Sequence, residues 1–378
     1  RTLVANFKIQ SYAIAATATT GGSLTGGATY EYGKSVSLVA TAATGYDFVN
    51  WTEGGVEVSK DLTYTFTADK VRTLVANFKI QSYAITTTAT PGDKGSVTGS
   101  GTFDYNSDVT LTATPVTGYD FVNWTVNGSE VSKVNPYKFK ATGVQALVAN
   151  FKIQSYAIAA TAGTGGSVTG AATYEYGQSV SLVATVATGY DFVNWTEGGT
   201  EVSKDLTYTF PADKARTLVA NFKIQSYAIT TTATPADKGS VTGGGTFDYN
   251  SDVTLTATPV TGYKFVNWMV DGSEVSKENP YSFKASKVQT LVANFEIQSF
   301  EIGASSSIPA GGTVTGGATY EYGQSVSLVA AASTGYDFLN WTEDGKEVST
   351  ALTYTFTAHK ARTLVANFKI QSYAIAAT

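Results

Sequence analysis

Apolar and polar residues alternate in short runs along the whole chain. In residues 35–40 (SVSLVA), Val36, Leu38 and Ala40 fall on one face of an extended strand, and the polar residues fall on the other. Glycine pairs such as Gly21-Gly22 and Gly54-Gly55 follow these runs. Period-two runs bounded by glycine turns predict β-strands, and no segment shows the 3.6-residue period of a helix. We therefore expect an all-β chain with about six short strands in each unit.

The same pattern returns at intervals of 71 or 73 residues. An Asn-Phe dipeptide begins at Asn6, Asn77, Asn150, Asn221, Asn294 and Asn367, and each interval holds one tryptophan. A fixed period of this size indicates a tandem array. We expect five small β domains at residues 11–81, 82–154, 155–225, 226–298 and 299–371. Residues 1–10 then end a preceding repeat and residues 372–378 start a following one, as in a window cut from a longer array.

The joins between units contain no Gly, Pro or Ser-rich linker. In residues 3–9 (LVANFKI), Leu3, Phe7 and Ile9 share one face, whereas Tyr12 and Ile14 beyond the join fall on the other. We predict that one continuous strand is shared by two successive units, with a twist or bulge near Gln10. Such joins favour a linear, stiff array. At about 3.3 Å per residue, five units would span roughly 150–200 Å.

One unit resembles a known family in the order of its motifs. These are the Gly-rich strand with YEYG, the alternating strand, GYDFVNW and the terminal strand RTLVANF, all present in residues 26–78 and repeated in the other units. The order resembles the divergent internalin-type B-repeat of bacterial surface proteins. The resemblance implies tandem parts of large secreted or wall-attached proteins, with spacing and adhesion roles. It also implies a compact β-grasp-like fold. Since no helical stretch is evident, we expect β-sandwich or β-grasp-like domains without a confident helix.

The charge and cysteine content of the chain limit the kinds of partner and chemistry that we expect. The formal net charge is −5 and the pI is near 5.1, so the chain offers no basic face for nucleic acid or an anionic membrane. We expect no nucleic-acid partner and no direct membrane insertion. With no cysteine, the chain has neither a disulfide framework nor a thiolate nucleophile. Continuity with neighbouring repeats of the same chain is then the expected aid to the stability of each small unit.

The aromatic residues are assigned to two groups. A fixed tryptophan and phenylalanine beside alternating strands predict the structural core of each unit. These residues are Trp51, Trp124, Trp195, Trp268 and Trp341, with Phe48, Phe121, Phe192, Phe265 and Phe338. Tyrosines on the Gly-rich strand are instead candidates for surface contact with a glycan or protein, with packing as the alternative. They are Tyr30, Tyr32, Tyr174, Tyr176, Tyr320 and Tyr322.

No motif indicates catalysis, a cofactor or a metal. The acidic residues lack the dense Asp-x-Asp-x-Asp-Gly spacing of a calcium loop, and the single histidine, His359, has no counterpart in other units. An enzyme needs one special site, whereas this chain offers five near-copies of one surface. We predict no catalytic, cofactor-binding or metal-binding residues.

Two functions remain open. The first is a rigid extracellular stalk or filament segment of a large bacterial surface or secreted protein, which spaces or assembles adhesive parts and associates laterally in some arrangements. The second is a multivalent array in which exposed aromatic strips bind host or cell-surface glycans or proteins. Exposure of the aromatic side chains distinguishes them, since a stalk buries them and a binding array presents them.

Overall fold

The computed structural model of the protein describes residues 1–372 and 374. Within that range the regular elements are all β-strands, forty in number. Residues 1–10 are exposed and form no regular element. Of the expected start of a following repeat at 372–378, all but Ser372 and Ala374 lie outside the described residues.

Each repeat contains eight strands in the same order. Repeat 1 has β1 (Ser11–Ala18), β2 (Gly22–Thr25), β3 (Ala28–Glu31), β4 (Ser35–Ala42), β5 (Tyr46–Glu53), β6 (Val56–Ser59), β7 (Thr63–Thr67) and β8 (Arg72–Ile80). Repeat 2 has β9 (Ser82–Thr90), β10 (Gly95–Thr98), β11 (Gly101–Asp104), β12 (Asp108–Pro115), β13 (Tyr119–Val126), β14 (Ser129–Ser132), β15 (Tyr137–Lys140) and β16 (Gln145–Ile153). Repeat 3 has β17 (Ser155–Ala162), β18 (Gly166–Thr169), β19 (Ala172–Glu175), β20 (Ser179–Val186), β21 (Tyr190–Glu197), β22 (Thr200–Ser203), β23 (Thr207–Pro211) and β24 (Arg216–Ile224).

The last two repeats follow the same plan. Repeat 4 has β25 (Ser226–Thr234), β26 (Gly239–Thr242), β27 (Gly245–Asp248), β28 (Asp252–Pro259), β29 (Tyr263–Val270), β30 (Ser273–Ser276), β31 (Tyr281–Lys284) and β32 (Gln289–Ile297). Repeat 5 has β33 (Ser299–Ser306), β34 (Gly312–Thr315), β35 (Ala318–Glu321), β36 (Ser325–Ala332), β37 (Tyr336–Glu343), β38 (Lys346–Ser349), β39 (Thr353–Thr357) and β40 (Arg362–Ile370).

The predicted all-β tandem array is confirmed, and each repeat contains two sheets. In repeat 1 the larger sheet has the order β3-β1-β8-β5-β6, and the smaller has the order β2-β4-β7. Strands β1 and β8 are parallel, and the other neighbours are antiparallel. Of the two expected folds the sandwich is the one observed, because the described residues contain no helix to complete a β-grasp.

Eight strands form where about six were predicted. The clearest cause is Gly26, which has a left-handed φ of 100° and divides the segment 23–32 into two strands. A side chain there would overlap the carbonyl oxygen of Ser37. Because of this corner, β2 joins the smaller sheet and β3 joins the larger one.

The core of each sandwich lies between its two sheets. In repeat 1 the alternation predicted for β4 is present, with Val36 and Leu38 fully buried and Val39 exposed. Trp51 from β5 and Leu74 from β8 meet them from the larger sheet. Burying a side chain of this size stabilises the fold by about 1.5–3 kcal/mol. The alternation of apolar residues thus decides which face of each strand is internal.

The described chain falls into two compact units, and the boundary passes through repeat 3. One unit comprises residues 1–159, 170–182 and 209–217, and it holds repeats 1 and 2 together with the β17–β19 pair. The other comprises residues 160–169, 183–208 and 218–374, and it holds the β21–β24 pair of repeat 3 together with repeats 4 and 5. Every junction described below lies inside one of these units.

Candidate functional site at the junction between repeats

Repeats 1 and 2 are joined by a single residue, Gln81, which lies between β8 and β9. The chain here forms two strands in succession, separated by one residue at which the inward-facing positions change parity. The Gln81 N–H donates to the carbonyl of Gly45 in repeat 1 (2.8 Å). Its own carbonyl accepts from the N–H of Tyr105 in repeat 2 (2.7 Å). Both backbone groups of the linking residue are therefore satisfied, one by each repeat.

The Gln81 side chain repeats this division. Its Nε2 donates to Oδ1 of Asp47 in repeat 1 (2.8 Å). Its Oε1 accepts from the hydroxyl of Tyr83 in repeat 2 (2.7 Å). A neutral side-chain amide has one acceptor oxygen and two donor protons, so glutamine suits a position between a carboxylate and a hydroxyl. Because one of these bonds is exposed and the other only half-buried, each contributes about 0.5 kcal/mol net, the low end of the usual range.

An aromatic ring from repeat 2 packs on a glycine of repeat 1. Gly45 is buried, has a left-handed φ of 81°, and lies so close to the Tyr105 ring that a Cβ at this position would overlap it. Only glycine meets both conditions without strain. Gly45 therefore forms the left-handed turn, accepts the hydrogen bond from the Gln81 N–H and carries the Tyr105 ring of the next repeat.

The next two junctions are built in the same way. In each, the linking glutamine donates its N–H to a glycine carbonyl (2.8 Å), accepts from a tyrosine N–H, and binds an aspartate and a second tyrosine through its side chain. The tyrosine whose backbone N–H donates to the glutamine also packs its ring on the same glycine. The residues are Gln154, Gly118, Tyr176, Asp120 and Tyr156, then Gln225, Gly189, Tyr249, Asp191 and Tyr227.

The junction between repeats 4 and 5 keeps the backbone bonds and changes the side chains. Gln298 N–H donates to Gly262 O and Gln298 O accepts from Tyr322 N–H, both at 2.8 Å, and the Tyr322 ring lies on Gly262. Lys264 replaces the aspartate and Phe300 replaces the tyrosine, so the acceptor and the hydroxyl are both lost. Lys264 instead pairs with Glu296 (2.8 Å), and both are about half exposed. In the described residues the Gln298 side chain has no hydrogen bond across this junction.

The residues predicted as structural core are placed inside the sandwiches. The five tryptophans, Trp51, Trp124, Trp195, Trp268 and Trp341, are fully buried. The five phenylalanines, Phe48, Phe121, Phe192, Phe265 and Phe338, are half-buried, each with its ring centroid 5.4–6.1 Å from that of its tryptophan. None of these ten rings is presented to solvent as an open platform.

The tyrosines predicted for surface contact have two environments. Tyr30, Tyr174 and Tyr320 are half-buried, and each hydroxyl donates to a glycine carbonyl of its own repeat at 2.6–2.7 Å. Tyr176 and Tyr322 are half-buried against the preceding repeat. Tyr32 is 59% exposed, and its ring centroid lies 6.3 Å from that of Tyr12. A glycan- or protein-binding role for these six residues stays a prediction.

Charged pairs stabilise the repeats away from the junctions. Arg72 binds Glu53 through Nε and an Nη atom (2.8–3.2 Å) and lies 4.2 Å above the Phe66 ring. The hydrogen bond from Arg72 lowers the pKa of Glu53. Arg362 and Glu343 form the same pair in repeat 5, with the same effect on the pKa of Glu343. Repeats 2 and 4 have Gln145 and Gln289 at the arginine position.

The described residues contain no cluster of three or more His, Asp or Glu side chains that could hold a metal ion. His359 lies with its ring centroid 4.9 Å from that of Tyr322, beside the junction of repeats 4 and 5. The part of the chain that the structure describes also contains no helix able to cross a membrane.

The sequence prediction missed the glutamines and glycines that form the junctions, together with Tyr105 and Tyr249. The signal for them was available in the printed sequence. A glutamine follows NFKI or NFEI at every join, and a glycine precedes the aromatic pair Tyr-x-Phe in every repeat. Their constancy among repeats whose other surface residues vary would have identified the junction.

Comparison with known proteins gives one family match over the whole array. The model of the divergent InlB B-repeat domain matches residues 12–82, 85–155, 156–226, 229–299 and 305–372. These five segments include 352 of the 378 residues of the chain. None of the curated proteins compared with the chain matches it.

Two solved structures show a remote likeness to the chain. The Bacillus anthracis TIE protein is 10% identical with a TM-score of 0.35, covering 73% of this chain, which spans 66% of that protein's chain. Two B repeat units of the collagen-binding protein of Staphylococcus aureus are 10% identical with a TM-score of 0.09, covering 77% of this chain and 100% of theirs. At these scores neither likeness supports an argument.

Proposed function

The chain belongs to the divergent InlB B-repeat domain family, and we propose that it is a structural spacer. In this proposal the repeats form a rigid stalk or filament segment of a large bacterial surface or secreted protein. The stalk holds an adhesive part away from the cell or assembles such parts side by side. The protein is then extracellular or attached to the cell surface, and its main partners are the neighbouring repeats of its own chain.

The observation that supports this proposal is the fully bonded linking residue. A flexible tether needs a linker whose backbone groups bind water and whose dihedral angles are free. Gln81 has its N–H, its carbonyl and its side chain bonded to the two repeats that it joins. Bending at this residue would break these bonds and lift the Tyr105 ring from Gly45. Each bend therefore carries a free-energy cost that a Gly/Ser linker lacks.

The alternative, a multivalent array with exposed aromatic strips, receives less support. Of the tyrosines predicted for surface contact, Tyr176 and Tyr322 cover glycines of the preceding repeat, as Tyr105 and Tyr249 do at the other two junctions. The tryptophans are buried. Tyr32 of repeat 1 is well exposed. The partial burial of the four junction tyrosines is therefore explained by packing between repeats and does not point to a ligand.

Small-angle scattering of the intact chain and of a variant with Gly-Ser-Gly-Ser inserted after Gln154 tests the proposal. We expect the parent to scatter as one extended, stiff particle and the insertion to reduce its maximum dimension without unfolding either flanking repeat. A matched insertion at the exposed Gly54-Gly55 turn should leave the maximum dimension unchanged. If the parent already scatters as freely jointed beads, or as one compact globule, the spacer proposal is wrong.

A further inference from the structure

The first and last strands of a repeat are parallel neighbours at the centre of its larger sheet. We call them the terminal strand pair. In repeat 1, β1 and β8 pair from Ile14–Arg72 to Ala18–Ala76. The same pairing joins β9 to β16, β25 to β32 and β33 to β40 over five or six residues each. All the other strands of a repeat lie between these two along the chain.

This topology determines how a repeat responds to a pull on its two ends. The chain enters at the start of β1 and leaves at the end of β8, and because the strands are parallel these points lie at opposite ends of the pair. Tension therefore slides one strand along the other. The evenly spaced hydrogen bonds of a parallel pair lie across that direction, so they share the load instead of opening one by one.

We propose that the terminal strand pair bears tension, so that each repeat resists extension along the chain. The inference rests on the proposed spacer function and adds that the spacer works under a pulling force. It concerns a mechanical property of the repeats that holds whether or not the junctions bend.

The surroundings of the pair oppose sliding. On its other side β8 pairs with β5 over seven residues, from Tyr46–Ile80 to Glu53–Leu74. Leu74 and Ala76 of β8 and Ile14 of β1 point into the sandwich and are buried. Sliding would therefore break the central pairing and pull apolar side chains out of a close-packed core in one step.

Tension also passes from one pair directly to the next. The end of β8 connects through Gln81 to β9, which is the first member of the pair in repeat 2. Strands β2 to β7 lie outside this path and are released only when the pair breaks. A repeat of about 70 residues would then lengthen by up to roughly 230–250 Å, less its folded span.

Single-molecule force spectroscopy on the full chain in two pulling directions tests the inference. The chain has no cysteine, so introduced thiols give unique attachment points. One experiment pulls through the two chain ends. The other pulls repeat 2 through Thr102→Cys and Ser129→Cys, which are exposed positions on the edge strands β11 and β14 of its larger sheet. Lateral pulling peels the sheet strand by strand.

We expect the end-to-end rupture force to be at least about twofold higher than the lateral force at the same loading rate, because the pair is sheared in one case and peeled in the other. Chemical denaturation must show the variant to be as stable as the parent. If it is not, Thr29→Cys with Val56→Cys gives the same geometry in repeat 1. Equal forces, or a lower end-to-end force, would overturn the inference. If scattering shows a flexible chain but the end-to-end force is still the higher one, the spacer proposal is wrong and the inference about the terminal strand pair stands.

Discussion

The junction of repeats 1 and 2 and that of repeats 4 and 5 differ in their side chains and agree in their backbone. Gln81 binds Asp47 and Tyr83 through its amide, whereas the equivalent positions in the Gln298 junction are Lys264 and Phe300. Both glutamines keep two backbone hydrogen bonds, of 2.7–2.8 Å. Both junctions also place a tyrosine ring on a glycine.

The difference separates what a junction requires from what reinforces it. The backbone bonds and the ring on glycine occur at all four junctions, and the amide bonds occur at three. At the fourth, the Lys264–Glu296 pair is about half exposed, and a pair of this kind contributes about 0–1 kcal/mol. We infer that the junction of repeats 4 and 5 is the weakest of the four.

The largest expected effect comes from removing a core side chain in repeat 2, next to a reinforced junction, or in repeat 4, next to the weakest one. Leu111→Ala in repeat 2 and Leu255→Ala in repeat 4 remove equivalent, fully buried side chains. Each should destabilise its own repeat by about 2–5 kcal/mol. Hydrogen exchange should show the loss spreading from repeat 2 into repeats 1 and 3, but less from repeat 4 into repeat 5. Equal spreading into all neighbours would contradict the ranking of the junctions.

The next effect comes from adding a Cβ to the junction glycine. Gly45→Ala and Gly335→Ala share a left-handed φ, of 81° and 87°, and each pays about 1–2 kcal/mol for it. Of these two glycines, Gly45 is the one whose new methyl group also displaces a tyrosine ring, since among the described residues no atom lies within 4 Å of a Cβ at Gly335. Thermal unfolding should show the larger loss for Gly45→Ala. Equal losses would mean that the ring contributes nothing to the junction.

Lowering the pH should destabilise repeat 1 through an ion pair inside the repeat, and not through its junctions. The pKa of Glu53 is lowered in the folded state by its hydrogen bond from Arg72, so the pair stabilises repeat 1 above the ordinary carboxyl pKa of 4.5. That contribution, about 1 kcal/mol, is lost as the pH falls below this value and the carboxylate is protonated. Glu53→Gln should flatten this part of the stability–pH curve of repeat 1. Repeat 2, with Val126 at that position, is the internal control.

The smallest effect is expected from exchanging the side chains of the two junctions. Asp47→Lys, Lys79→Glu and Tyr83→Phe convert the first junction to the type of the fourth, at a cost of about 1 kcal/mol or less. The reverse set, Lys264→Asp, Glu296→Lys and Phe300→Tyr, should strengthen the fourth junction by a similar amount. Differential scanning calorimetry of both variants checks this, and a change of the same sign in both would contradict it.

Much of this architecture could be predicted from the sequence, because alternation and repetition are local patterns. Val36 and Leu38 reveal the inner face of β4 without any knowledge of its partners. The split at Gly26 and the role of Gln81 could not be predicted in the same way. A left-handed glycine at a corner and a half-buried amide between two repeats depend on tertiary neighbours such as Ser37 and Gly45. The parity change near each join was visible, but its physical form, a single residue bonded on both sides, was not.

Spin labels on Thr63→Cys in β7 and Lys138→Cys in β15 measure the central claim directly, since both positions are exposed and lie in repeats 1 and 2. If Gln81 holds the two repeats in one orientation, pulsed dipolar spectroscopy will give one narrow distance distribution. Inserting Gly-Ser-Gly-Ser after Gln81 will broaden it while both repeats stay folded. A distribution that is already broad in the uninterrupted chain, and that the insertion leaves unaltered, would contradict the account.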